Sequence, residues 1–63
     1  MRHTEREYID LGYRYERAKS PASGQAAAQA IRTLLEHEEI EDRAEARHLV
    51  ERGRQEARQQ VTA

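Results

Sequence analysis

The sequence predicts an all-α protein: a small three-helix bundle, or a helical hairpin with an N-terminal helix, which in either form dimerises. Three observations lead to this prediction. Apolar residues recur with helical spacing in three segments, and no segment alternates with the two-residue period of a strand. The segments are also separated by residues that begin or end helices. We expect residues 1–63 to form one domain.

The first helix is expected at about residues 4–19. Thr4 and Glu7 have the spacing of a capping box, in which each side chain bonds the other residue's backbone amide. Basic residues follow near the end of the segment, where the helix dipole favours cations: Arg14, Arg17 and Lys19. One face carries an apolar stripe of Tyr8, Leu11, Gly12, Tyr15 and Ala18.

The second helix is expected at about residues 22–38. Residues 20–24 read Ser-Pro-Ala-Ser-Gly and interrupt the helical pattern. Proline disfavours a helical residue before it but suits the first turn of a new helix, so the helix should begin between Ser20 and Gln25. Its apolar stripe consists of Ala27, Ala30, Ile31, Leu34 and Leu35.

The third helix is expected at about residues 42–60, with Asp42 and Glu45 as a second capping box. Its apolar stripe consists of Ala46, Leu49, Val50, Gly53, Ala57 and Val61. The short connection at residues 39–41 predicts that the second and third helices are antiparallel neighbours. Gly12 and Gly53 lie within stripes although glycine costs about 1 kcal/mol relative to alanine in a helix, which predicts close helix contacts.

The composition predicts a thin core. Ten of the hydrophobic residues are alanine, and Phe, Trp and Cys are absent. Small domains with few large side chains and no disulfides usually need a further source of stability. We expect a partner chain, most simply a second copy in a two-fold homodimer. Disorder is the alternative, because 37% charged residues and a mean hydropathy of −1.13 approach the disordered range. The periodic placement of apolar residues favours a folded chain.

The predicted partner surface combines a spare apolar pair with segregated charge. Ile9 and Tyr13 lie about a quarter turn from the first stripe, so they either flank a wide core face or contact another chain. Residues 36–45 hold six acidic residues and one arginine, and arginines line one edge of the third helix. Such charge sets the rate and specificity of association. The expected partner-binding residues are Ile9, Tyr13, Glu38, Glu39, Glu41, Arg43, Arg47, Arg54 and Arg58.

Two other functions stay open as alternatives. Glu45 and His48 have the spacing of a di-iron bundle motif, with Glu16 as a conceivable third ligand, but His48 points away from the apolar stripe. The spacing of His37 and Glu41 resembles a helical zinc motif that lacks its second histidine. We therefore expect no metal or cofactor. A metal-binding helical bundle is kept as the second alternative to the expected function.

A nucleic-acid-binding transcriptional regulator is the first alternative. In a helix-turn-helix protein the third helix would enter the groove by its N-terminal end. Phosphates would repel Glu41, Asp42 and Glu45 there, and the pI of about 6.3 is not that of a basic domain. Nucleic acid is not the expected partner.

The expected function is a non-catalytic protein-binding module, such as a small adaptor, inhibitor or regulatory subunit. No nucleophile with a neighbouring base and no glycine-rich phosphate loop appears, so we do not expect an enzyme. No apolar run approaches the ~20 residues of a membrane span, and no signal peptide follows Met1. We expect a cytoplasmic protein without a membrane partner.

Overall fold

The computed structural model describes residues 3–61, which form three α-helices. They are α1 (Glu5–Glu16), α2 (Pro21–Glu36) and α3 (Ile40–Val61), and this part of the chain contains no strand. The predicted all-α class is therefore confirmed. None of these helices is long and apolar enough to cross a bilayer. The sequence also predicts that the Val61 side chain belongs to the apolar stripe of the third helix, but this side chain lies outside what the structure describes.

Helix α1 begins where the sequence predicts and ends three residues early. Thr4 caps it, with its hydroxyl accepting a hydrogen bond from the Glu7 amide at 3.2 Å. The Glu7 carboxylate does not return to Thr4, because it pairs with Nδ1 of His3 at 2.8 Å. At the other end the Ala18 amide bonds the Tyr15 carbonyl three residues back, at 3.3 Å. This tighter turn ends the helix before Arg17 and Lys19, whereas Arg14 lies in the last turn of α1 as expected.

Helix α2 begins as expected, with Ser20 as its cap and Pro21 as its first residue. The Ser20 hydroxyl accepts from the Ser23 amide at 3.2 Å. Helix α3 begins at Ile40, two residues before the predicted start. The Asp42 amide bonds the Glu39 carbonyl at 2.9 Å, so Asp42 lies in the first turn of α3 and is not its cap.

Helix α1 packs between the other two. Its most extensive contact is with α3, it contacts α2 less, and α2 and α3 contact each other least. The Tyr8 hydroxyl lies 3.4 Å from the Leu34 carbonyl, and Ala18 lies beside Gly24, so α1 and α2 run antiparallel. The predicted hairpin of α2 and α3 is thus not a main packed pair. The short connection brings together only the adjoining ends of these helices.

The core lies where α1 meets the first half of α3. It contains Tyr8, Ala46, Leu49 and Val50, and the partly buried Ile9, Ile31, Leu34 and Leu35 pack against it. Ala57 is also buried. The stripe predicted for α3 is therefore the buried face. Tyr15 departs from the prediction, because 37% of it is exposed.

The two glycines that interrupt apolar stripes allow α1 and α3 to touch backbone to backbone. A Cβ on Gly12 would collide with the Val50 carbonyl oxygen and lie 2.8 Å from the carbonyl carbon. A Cβ on Gly53 would meet the Ile9 carbonyl group and lie 2.9 Å from the Tyr13 amide nitrogen. The predicted close helix contact at Gly12 and Gly53 is confirmed.

Candidate protein-binding surface

Ile9 and Tyr13 lie against α3. Ile9 is partly buried and packs on the core, and its carbonyl group meets Gly53. The Tyr13 hydroxyl bonds the side chain of Gln60 and accepts from Nη1 of Arg17 at 2.9 Å. The structure therefore favours the interpretation that this pair flanks a wide core face, rather than the second contact surface expected for it.

Glu38 is not on the surface, where the acidic residues at positions 36–45 were expected, because only 3% of it is exposed. Its Oε2 accepts a hydrogen bond from the Tyr8 hydroxyl at 2.7 Å and one from the His3 amide at 3.4 Å. Helix α2 ends at Glu36, so Glu38 belongs to the turn that follows and not to a solvated helix face. Burial, reinforced by the bond to Glu38, raises the pKa of Tyr8 far above its ordinary value. At neutral pH this hydroxyl is a hydrogen-bond donor.

The Arg43 side chain forms hydrogen bonds with the backbone at the end of α2. Its Nε donates to the carbonyl oxygens of Leu35 at 3.1 Å and Glu38 at 3.3 Å, and its Nη2 to that of Glu36 at 3.4 Å. The last carbonyls of a helix have no partner within the helix, and a guanidinium group satisfies them well. Arg43 is therefore engaged in a structural contact within the chain, and its partner role stays a prediction.

Arg54 and Arg58 join α3 to α1 through Glu16. Nε of Arg54 lies 2.9 Å from Oε1 of Glu16, and Nε of Arg58 lies 3.3 Å from Oε2. Both arginines also pair with Glu51, at 3.5 and 3.8 Å. The hydrogen bonds from Arg54 and then Arg58 lower the pKa of Glu16, and the bond to Glu16 raises the pKa of Arg54. Together with Arg43, three of the four arginines expected to bind a partner are thus engaged within the chain.

Acid should weaken this network, and Glu16→Gln tests it. Because the pKa of Glu16 is lowered in the folded state, its ion pairs stabilise the protein above the ordinary value of 4.5 and are lost as pH falls through the lower folded value. We expect the Tm of Glu16→Gln to fall less than that of the wild type between about pH 5 and pH 2. Thermal melts followed by circular dichroism measure this. The exposed Glu45→Gln is the control, and equal acid slopes for the wild type and Glu16→Gln would contradict the prediction.

Four of the predicted partner-binding residues are exposed: Glu39, Glu41, Arg47 and Arg58. Arg58 pairs with Glu16 and Glu51. The side chains of Glu39, Glu41 and Arg47 make no hydrogen bond or ion pair with any residue between 3 and 61. Of the predicted partner-binding residues, these three are the exposed charges that no contact among residues 3–61 engages.

The candidate metal ligands do not come together. Glu45 and His48 are exposed on α3. Glu16 lies on α1 and is held by Arg54 and Arg58 of α3. His37 is exposed at the end of α2. Among residues 3–61 there is no group of three His, Asp or Glu side chains that could hold a metal ion.

A surface that the sequence analysis did not select is the outer side of α2. This helix has 16 residues, of which only Arg32 and Glu36 are charged, in a chain that is 37% charged. None of its residues is buried. The least charged helix is therefore left largely in contact with water. The signal for it was present in the sequence, since residues 21–31 contain no ionisable side chain.

The outer side of α2 borders an open apolar groove between α1 and α2. The groove is lined by Leu11, Arg14, Ser23, Ala26, Ala27 and Ala30. It continues onto a ridge of α2 on which Ala26, Gln29 and Thr33 are exposed and Ala30 and Leu34 are partly buried. These residues are spaced three and four apart, as one helix face requires. We call the groove and this ridge together the α2 face.

Comparison with models of protein families, with curated proteins and with solved structures finds no match for this chain. The fold and the α2 face are therefore the features that indicate the class of protein.

Proposed function

We propose that this protein is a non-catalytic protein-binding module and that the α2 face is its binding surface. The observation that carries the proposal is that α2, the least charged helix, contains no buried residue. Burying apolar surface contributes roughly 25 cal/mol per Å². The side chains of the α2 face are mostly small or apolar and stay at least partly accessible to solvent, as they do at sites of protein interaction.

The shape of the α2 face suits a macromolecule. Small-molecule sites are usually concave and combine an apolar wall with convergent polar groups. The α2 face is an open groove beside a convex ridge, and its polar lining side chains are dispersed: Arg14, Ser23, Gln29 and Thr33. The small side chains of Ala26 and Ala30 permit a partner helix to approach closely, as helices with small residues at their contact do.

The exposed charges supplement this surface. Exposed ion pairs contribute about 0–1 kcal/mol each, so Glu39, Glu41 and Arg47 would add little to the affinity. Charged residues at the edge of an interface act mainly on association rate and on discrimination between partners. In this proposal the α2 face supplies the free energy of binding, and the three exposed charges orient the partner.

Site-specific photo-crosslinking in the native host tests the proposal. A benzophenone amino acid replaces Ala26 on the α2 face, and a matched variant carries it at Ala44, an exposed alanine on α3. We expect a defined protein adduct from position 26 and none from position 44.

The captured protein must then bind the purified wild type and bind Ala26→Arg at least tenfold more weakly, with Ala44→Arg unchanged. An adduct pattern that is the same from positions 26 and 44, or no adduct from position 26, would reject the α2 face as the binding surface.

A further inference from the structure

We infer that the protein bound by the α2 face is a second copy of this chain, in a two-fold dimer in which the two α2 helices pack against each other. This inference rests on the proposed function and names its partner. Three observations carry it: the incomplete cover of α2, the charge of the α2 face, and the area that a stable dimer needs.

Helix α2 is the least covered of the three helices. It has α1 beside it and little contact with α3, and none of its residues is buried. Domains are normally built from packed layers around a shared core. A second copy would place a further layer over α2.

The charge of the α2 face suits its own copy. A two-fold axis brings each side chain near the same patch of the partner, so an isolated charge at the centre would repel its own copy. Between Pro21 and Ile31 there is no ionisable side chain. The two charged residues of α2, Arg32 and Glu36, are opposite in sign and sit together near one end. Among residues 3–61, the one charged side chain that lines the groove is Arg14, which comes from α1 and not from α2.

The net charge also permits self-association. The chain carries a formal charge of −1 at pH 7, so two copies repel each other only weakly. At physiological ionic strength this repulsion is screened beyond about 8 Å. No large electrostatic barrier opposes the dimer.

The required area is within reach. A standard interface removes about 800 Å² from each partner. That is about one sixth of the 4689 Å² of accessible surface of this chain. Helix α2 supplies 16 of the 63 residues, all exposed or partly exposed, and the groove adds Leu11 and Arg14 from α1. In the dimer the partly buried Leu11, Ala30 and Leu34 gain the neighbours that they lack in one copy.

Sedimentation equilibrium over a wide concentration range tests the inference. We expect the wild type to approach twice its mass of 7.3 kDa at high concentration, and its Tm to rise with concentration. Ala26→Arg and Thr33→Arg change two exposed residues of the α2 face, and each should raise the dissociation constant of the dimer at least tenfold. Ala44→Arg on α3 should leave it within twofold.

Single cysteines provide a second measurement that does not depend on weakening the dimer. The chain has no cysteine, and a disulfide forms only when two Cα atoms come within about 7 Å. Oxidation of Ala26→Cys, Gln29→Cys, Ala30→Cys and Thr33→Cys should link two chains efficiently at the position nearest the axis. Ala44→Cys should remain a monomer under the same conditions.

The outcomes separate this inference from the proposed function. A folded wild type that stays monomeric at every concentration overturns the inference that the partner is a second copy of this chain. If position 26 then crosslinks to a different protein, the binding surface stands and only its partner was misassigned. A dimer that survives both arginine substitutions and gives no disulfide on α2 places the interface elsewhere and overturns the inference as well.

Discussion

Replacing Gly53 by alanine should lower the free energy of unfolding by about 1–3 kcal/mol, the usual range for overpacking a tight contact. The added Cβ would lie 2.8 Å from the Ile9 carbonyl carbon and 2.9 Å from the Tyr13 amide nitrogen. These atoms belong to the backbone of α1, so no side chain can rotate away. Gly12→Ala should act in the same way against Val50. The result is unusual because Gly→Ala normally stabilises a helix by about 1 kcal/mol.

Gly24→Ala is the matched control. A Cβ there would meet only the Ala18 Cβ, at an ordinary 3.9 Å, so the substitution should be neutral or stabilise by up to about 1 kcal/mol. Urea unfolding at one fixed protein concentration compares the three variants, since self-association would make stability depend on concentration. Equal stabilisation by all three alanines would show that α1 and α3 do not touch at Gly12 and Gly53.

Removal of the Glu38 carboxylate should also lower the free energy of unfolding markedly. Glu38→Ala removes a buried acceptor from the Tyr8 hydroxyl and from the His3 amide. The Tyr8 hydroxyl would keep only the longer contact to the Leu34 carbonyl, at 3.4 Å. Loss of the acceptor of a buried donor costs about 1–3 kcal/mol. Urea unfolding should therefore show a marked loss of stability. The neighbouring Glu39→Ala, which removes an exposed carboxylate, should stay within about 0.5 kcal/mol of the wild type.

A double-mutant cycle assigns this effect to the contact with Tyr8. Tyr8→Phe keeps the ring and removes the hydroxyl that donates to Glu38 at 2.7 Å. Residues in direct contact show coupling of about 0.5–3 kcal/mol, so the double variant should lose less than the sum of the two single variants. Strict additivity would mean that Glu38 acts through contacts other than the one with Tyr8. A Glu38→Ala variant as stable as Glu39→Ala would mean that the carboxylate does not stabilise the fold.

Glu38 also changes what a charge-reversal experiment would measure. Reversing Glu38, Arg54 or Arg58 would disturb contacts inside the chain, so any loss of partner binding would be confounded with loss of the fold. Glu39, Glu41 and Arg47 are the positions at which charge can be reversed without removing such a contact.

Local rules let the sequence alone determine the helices and most of their buried positions. The cap at Thr4, the start of α2 at Ser20 and Pro21, and the buried stripe of α3 depend on residues within one or two turns of each other. The close approach at Gly12 and Gly53 was also predictable, because glycine inside an apolar stripe needs a compensating contact. Helix ends were less predictable, since Asp42 fits a cap but lies in the first turn of α3.

Only the tertiary structure decided which surfaces meet. The helical period specifies which residues share a face, but it does not specify which helix that face contacts. Placing α1 between its neighbours brought Glu16 to the arginines of α3 and Tyr8 to Glu38, residues 30 or more positions apart. The same arrangement left α2 with a single close neighbour. Of its predicted stripe, Ile31, Leu34 and Leu35 pack against the core, but no residue of α2 is fully buried in one copy of the chain.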